Sequence, residues 1–190
     1  HGHPVFNVEY PKAPDHPHPW ILRSVFKSLA FIKANFPEAS SVHLMGDSAG
    51  ARRSQHERLF LDWAAGRTPR LYTDEFRQTC TAENLADALV ELCERRDLRG
   101  VFHWAGTELL SRHEIGRRIC AHFKLSETQA PLAAITRADT PEVAPRRQPC
   151  LALDIIPLAG RLKTRPQSFA EQLATLKVPP PCREWYLKQA

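Results

Sequence analysis

Between Trp20 and Phe36 the apolar residues Ile21, Leu22, Val25, Phe26, Leu29, Ile32 and Phe36 recur at helical spacing, and Pro37 closes the helix they predict. Two strand-like runs flank it. Residues 4–10 mix β-branched and aromatic side chains, and residues 41–46 are a short apolar run of the kind that forms a buried strand. Pro11, Pro14, Pro17 and Pro19 remove amide donors and fix φ, so residues 11–19 are a loop. After the second strand the chain turns sharply at Asp47-Ser48-Ala49-Gly50. The order is strand, loop, helix, strand, elbow, which predicts a parallel crossover unit.

The pattern then changes. Residues 52–66 predict a helix that ends at Gly66, a C′ glycine. Residues 67–81 are polar and predict a loop. Residues 82–96 predict a helix with Leu85, Ala88, Leu89, Leu92 and Cys93 on one face. Residues 100–106 predict a strand between two glycines, with His103 and Trp104 alternating so that one faces the core. Ser111 and Glu114 have the spacing of a capping box, and the helix behind them runs through Ile115, Ile119 and Phe123. Residues 126–153 are looser, with short apolar patches and four prolines. Residues 168–177 predict a last short helix, followed by a proline-rich tail over 179–190. The fold class is α/β, a partial parallel sheet with flanking helices, in three segments: 1–51, 52–178 and 179–190.

A length of 190 residues suits one domain or two small ones. Hydrophobic residues make up 43% and charged residues 25%, the balance expected of a soluble globular protein. No apolar run approaches the roughly 18 residues that span a bilayer, and no signal-peptide pattern occurs. The chain opens at His1, as a processed product, an excised piece or a fragment would. The five cysteines are widely spaced and contain no C-x-x-C pair, which argues against a zinc ribbon or a redox pair. Reduced thiols in a cytoplasmic protein are the expectation. His113 and His122 stand nine apart on one predicted helix, which is not metal-ligand spacing, and no metal site is expected.

The net charge is +5, from 26 Lys/Arg against 21 Asp/Glu. Residues 1–51 hold four of each, which leaves 22 basic and 17 acidic residues in 52–190. Basic pairs such as Arg52-Arg53, Arg95-Arg96, Arg117-Arg118 and Arg146-Arg147 are scattered among acids. That distribution suits a solvated surface better than a nucleic-acid groove. A basic pocket would instead attract a phosphorylated small molecule.

Gly46-Asp47-Ser48-Ala49-Gly50 fits G-x-S-x-G. Flanking glycines let a nucleophile sit in a strained strand-to-helix turn, where the amide of Ala49 can donate to an oxyanion. Together with "VEYPKAPDHPHP" about thirty residues upstream, the pentapeptide resembles the hormone-sensitive-lipase-like branch of the α/β-hydrolases over residues 2–51. The resemblance implies Ser48 as the acyl-accepting nucleophile and a carboxylic ester as substrate. The family's upstream H-G-G-G has no counterpart. Asp154 lies near the position of a triad Asp, but no histidine follows His122. Without a base a Ser hydroxyl is a poor nucleophile at neutral pH.

A different resemblance covers residues 56–177. "FLDWAAG", "TDEFRQTCTAENLADALVELCE", "LRGVFHWAGTELLSRHEIGRRICAHFKL" and "RRQPCLALD" occur in the order found in the C-terminal part of dTDP-4-dehydrorhamnose reductase-like extended short-chain dehydrogenases. One branch of that family includes the regulatory β subunit of methionine adenosyltransferase. The fold implied joins an α/β-hydrolase-like β-α-β-elbow segment to an extended short-chain-dehydrogenase substrate-binding segment. The resemblance implies a nucleotide-sugar ligand and an NAD(P)-dependent family. However, the eight glycines never form G-x-G-x-x-G, and no Tyr is followed by Lys four residues on. No cofactor is therefore expected to bind this chain alone.

Arg77 and Gln78, in the polar stretch 74–78, are the candidate substrate-binding residues. The bland alternative for Arg77 is a surface ion pair. Three functions follow. The first is a sugar-nucleotide-binding segment behind an esterase fragment, not catalytically complete alone. The second is a serine carboxylesterase using Ser48 with His103 or His113 as base. The third is a non-catalytic regulatory or interaction module with a protein partner.

Overall fold

A computed structural model describes residues 54–189, apart from 96 and 99. The predicted elements before residue 54, with the Ser48–Ala49 elbow, lie outside the described residues. In chain order the described elements are α1 (Gln55–Ala64), β1 (Arg70–Tyr72), β2 (Phe76–Gln78), α2 (Ala82–Glu94), β3 (Leu109–Ser111), α3 (Arg112–His122), β4 (Ala133–Ile135), β5 (Cys150–Leu151), α4 (Ile156–Ala159), α5 (Phe169–Thr175) and α6 (Arg183–Leu187). Short 3₁₀ turns occupy Arg137–Asp139, Ala144–Arg146 and Pro180–Cys182. The architecture is mixed α/β, with two small sheets and flanking helices. No helix among the described residues is long and apolar enough to cross a membrane.

The described residues fall into two compact units. The larger comprises residues 54–79, 106–152 and 168–189. Its α1 begins at a complete capping box: the Ser54 side chain accepts from the Glu57 amide, and the Glu57 carboxylate accepts from the Ser54 amide. Gly66 closes the helix at φ +69°, a left-handed conformation that glycine adopts without a Cβ penalty. The stretch 67–81, expected as loop, contains two strands instead. β1 pairs in parallel with β4, Arg70 opposite Ala133 and Tyr72 opposite Ile135. β2 pairs antiparallel with β3, Arg77 opposite Leu110, and in parallel with β5, Arg77 opposite Leu151. Strands of two or three residues are too short to show a period of two, so the sequence hides them.

Leu59, Phe60 and Trp63 of α1 pack with Leu110, Ile115, Ile119, Phe123, Phe169 and Leu173 to form the core of this unit. Phe60 is fully buried, with edge contacts to Phe123 at 4.9 Å, Trp63 at 5.5 Å and Trp185 at 6.0 Å. Burying a side chain of that size stabilises by about 1.5–3 kcal/mol. The segment expected as a proline-rich tail contributes here. Cys182 is buried, Trp185 stacks on Trp63, and the Tyr186 hydroxyl donates to the Phe123 carbonyl at 3.0 Å.

The smaller unit contains residues 80–105 and 153–167 among those described. Thr81 caps α2, which packs Ala88 with Leu98, Leu158 and Leu162, against Leu92, Phe102 and Trp104. Asn84 is buried on the same helix. It donates to the Arg165 carbonyl at 2.9 Å and accepts from the Trp104 indole at 3.0 Å. Of the alternating pair, Trp104 faces this core and His103 is exposed. Residues 100–106, expected as a strand, form neither helix nor strand. A strand is defined by a neighbour that takes up its amides, which a local sequence cannot supply.

Candidate functional site

The candidate site lies in the larger unit and is centred on Glu75, the residue before β2. Its side chain has no solvent exposure, and three guanidiniums converge on it. Arg147 donates from Nε to Oε1 and from Nη2 to Oε2, the latter at 2.7 Å. Arg112 donates from Nε to Oε2 at 3.0 Å, and Arg77 from Nη2 to Oε2 at 3.3 Å. Three different pieces of chain deliver these arginines. Arg77 lies on β2 beside Glu75. Arg112 is the first residue of α3, and its amide also donates to the Glu75 carbonyl at 2.9 Å. Arg147 follows the second 3₁₀ turn, where its amide donates to Ala144.

Burial by itself would raise the pKa of the Glu75 carboxyl. The hydrogen bond from Arg147 and the charges of Arg147, Arg112 and Arg77 outweigh it, so the carboxyl is held below its ordinary range. Arg112 is pulled below the usual arginine value, first by burial and next by the like charge of Arg77. Arg147 is raised by its bond to Glu75. Removing one partner from a buried ion pair typically costs about 3–5 kcal/mol, because the other charge is left without compensation.

The formal charge of the group is +2, three guanidiniums against one carboxylate. The arginine side chains are 16% (Arg77), 27% (Arg112) and 31% (Arg147) exposed, so each still reaches solvent. Arg147 also lies over the ring of Tyr72, 4.9 Å from its centroid, and the Tyr72 hydroxyl bonds to that of Thr140 at 2.9 Å. The loop carrying Thr140 is anchored through the Arg137 amide, which donates to both carboxylate oxygens of Asp74 at 2.9 and 3.0 Å. The Arg137 Nη2 donates to the Ala144 carbonyl at 2.9 Å, while its Nε is buried without a partner among the described residues. Such an arrangement can bind an anion with two or more oxygens, because guanidiniums offer paired donors in a fixed fork.

Of the two residues singled out from sequence, Arg77 belongs to this cluster. Its ion pair is with a buried carboxylate rather than a surface one. Gln78 is the next residue on the strand, so its side chain leaves the opposite face. Its amide donates to the Gly106 carbonyl at 2.8 Å. Ser48 and Ala49 lie outside the described residues. Glu75, Arg112 and Arg147 carry no local signal: Arg112 is 37 residues from Glu75 and Arg147 is 72. Arg146-Arg147 is visible in the sequence only as one scattered basic pair among several. Among the described residues, no group of three or more His, Cys, Asp or Glu could hold a metal ion.

The family model of the RmlD substrate binding domain matches residues 52–177. A protein of Haloferax volcanii described as a probable low-salt glycan biosynthesis reductase, Agl14, is 28% identical over 114 residues, covering 60% of this chain. The match covers 37% of that reductase's own length. The family match falls on the part of the chain whose residues resemble the reductases.

Proposed function

Because the chain belongs to the RmlD substrate binding domain family, we propose that it binds a nucleotide-sugar, with the ligand's diphosphate held by Arg77, Arg112 and Arg147. The observation that carries this function is the convergence of three partly exposed guanidiniums on one buried carboxylate, with a formal charge of +2. A nucleotide-sugar diphosphate carries two negative charges, which that group complements. The Haloferax relative, named for glycan biosynthesis, supports a sugar-derived ligand, and its reductase activity is proposed here only as the chemistry to which this segment contributes. Gln78, whose side chain leaves the opposite face, is proposed to hold the strand in place through its bond to the Gly106 carbonyl rather than to touch the diphosphate.

NAD(P), implied by the reductase-like family, has no place in the proposed chemistry of this chain alone. The glycines of this chain never form the G-x-G-x-x-G that would cradle its pyrophosphate. Binding of a ligand to the folded chain alone raises its unfolding temperature. Addition of dTDP-glucose is expected to shift thermal unfolding upward, by less in Arg77→Ala, whereas free glucose gives no shift. An equal shift in wild type and Arg77→Ala would contradict the assignment.

The pentapeptide at Gly46–Gly50 favours a second activity, ester hydrolysis with Ser48 as nucleophile and Ala49 as oxyanion donor. It predicts a single fluorophosphonate adduct by intact mass that disappears in Ser48→Ala. A folded chain that takes no adduct would exclude it.

A further inference from the structure

We infer that Glu75 is a positioning residue for anion capture: its buried carboxylate fixes the guanidiniums of Arg77, Arg112 and Arg147 in one arrangement, which a diphosphate then bridges. The identity of the ligand rests on the nucleotide-sugar function proposed above, but the geometry does not. Three arginines brought together without a carboxylate would repel one another and turn out to solvent. Glu75 removes that freedom during folding, so a ligand does not have to order the side chains when it binds. Both carboxylate oxygens are engaged, with four guanidinium N–H groups spent on them.

What remains on the arginines is suited to a ligand. Arg112 Nη1 and Nη2, Arg147 Nη1 and Arg77 Nε form no hydrogen bond with the described residues, while every arginine is held by at least one bond to Glu75. Arg147 has a second restraint in the Tyr72 ring, itself tied to Thr140. Arg77 has one in the Phe76 carbonyl, to which its Nη1 donates at 2.7 Å. Donors anchored on one side and unspent on the other form a preorganised cradle for phosphate oxygens.

The test turns on the sign of one effect. Glu75→Gln removes a negative charge from beside the site. If Glu75 served stability alone, a variant that still folds would bind an anion more tightly. If it positions the arginines, the variant binds more weakly, by about tenfold or more, the loss expected for a charge-assisted hydrogen bond. Affinities for dTDP-glucose and for inorganic pyrophosphate are measured by titration calorimetry on chains whose fold is checked by circular dichroism. Glu75→Asp is measured alongside. It keeps the charge but draws the carboxylate back by one methylene from the three guanidiniums, and the same loss is expected, so the outcome stands even where Glu75→Gln fails to fold. Unchanged or tighter binding of either probe by a folded variant overturns the inference while leaving the nucleotide-sugar function intact. Pyrophosphate binding that weakens in the variants, with no binding of dTDP-glucose, supports the inference and removes that function. Binding of neither probe by the wild type overturns both.

Discussion

At Glu75, burial and charge act in opposite directions, and charge wins. Loss of water disfavours the carboxylate, and three guanidiniums restore it. The same competition runs the other way at the cysteines, where no cation compensates. Burial pushes the Cys80 thiol up to about 12 and the Cys120 thiol up to about 11, whereas Cys150 is exposed on β5. Since the thiolate is the nucleophile, iodoacetamide at pH 8 is expected to label Cys150 and to spare Cys80 and Cys120 until the chain unfolds. Peptide mapping by mass spectrometry reads this directly, and early labelling of Cys80 would refute its burial. At this scale Arg77 was legible as a polar residue in an unstructured-looking stretch. Its partners were not, since Arg112 and Arg147 reach Glu75 only through the fold.

Helix starts were the most legible elements, because an N-cap is a local chemical pattern. Ser-x-x-Glu also opens α1 and α5, where it was not singled out from sequence, and both boxes form in full. The box expected at Ser111 forms by half. Ser111 caps the Glu114 amide, but the Glu114 carboxylate goes to Arg117 at 2.9 Å and Arg118 at 2.8 Å. Competition from two nearby cations explains the difference. The Ser168 box opens α5, whose Phe169 and Leu173 lie in the main core. Ser168→Ala is expected to cost about 1 kcal/mol, seen as a lower urea midpoint with an unchanged slope. No change in midpoint would mean that packing alone sets the start of this helix. Sheet pairing and α6 escaped the sequence for physical reasons. The strands are too short for alternation to show, and three consecutive prolines at 179–181 mask the aromatic anchors Trp185 and Tyr186 behind them.

For the whole molecule, the reductase-like resemblance in residues 56–177 and the family match over 52–177 concern the same stretch. The motifs were readable there because order and spacing along the chain are themselves sequence properties. The hydrolase-like segment lies outside the described residues, and its chemistry stays with the Ser48 test. The central claim is that the arginine cluster around Glu75 receives the diphosphate of a nucleotide-sugar. Titration calorimetry of dTDP-glucose into the wild-type chain and Arg77→Ala, both verified as folded, tests it most directly. Saturable binding by the wild type, weakened about tenfold or more in Arg77→Ala, is the result predicted from loss of a charge-assisted contact. Absence of binding by a folded wild type, or equal affinity in the two chains, would contradict it.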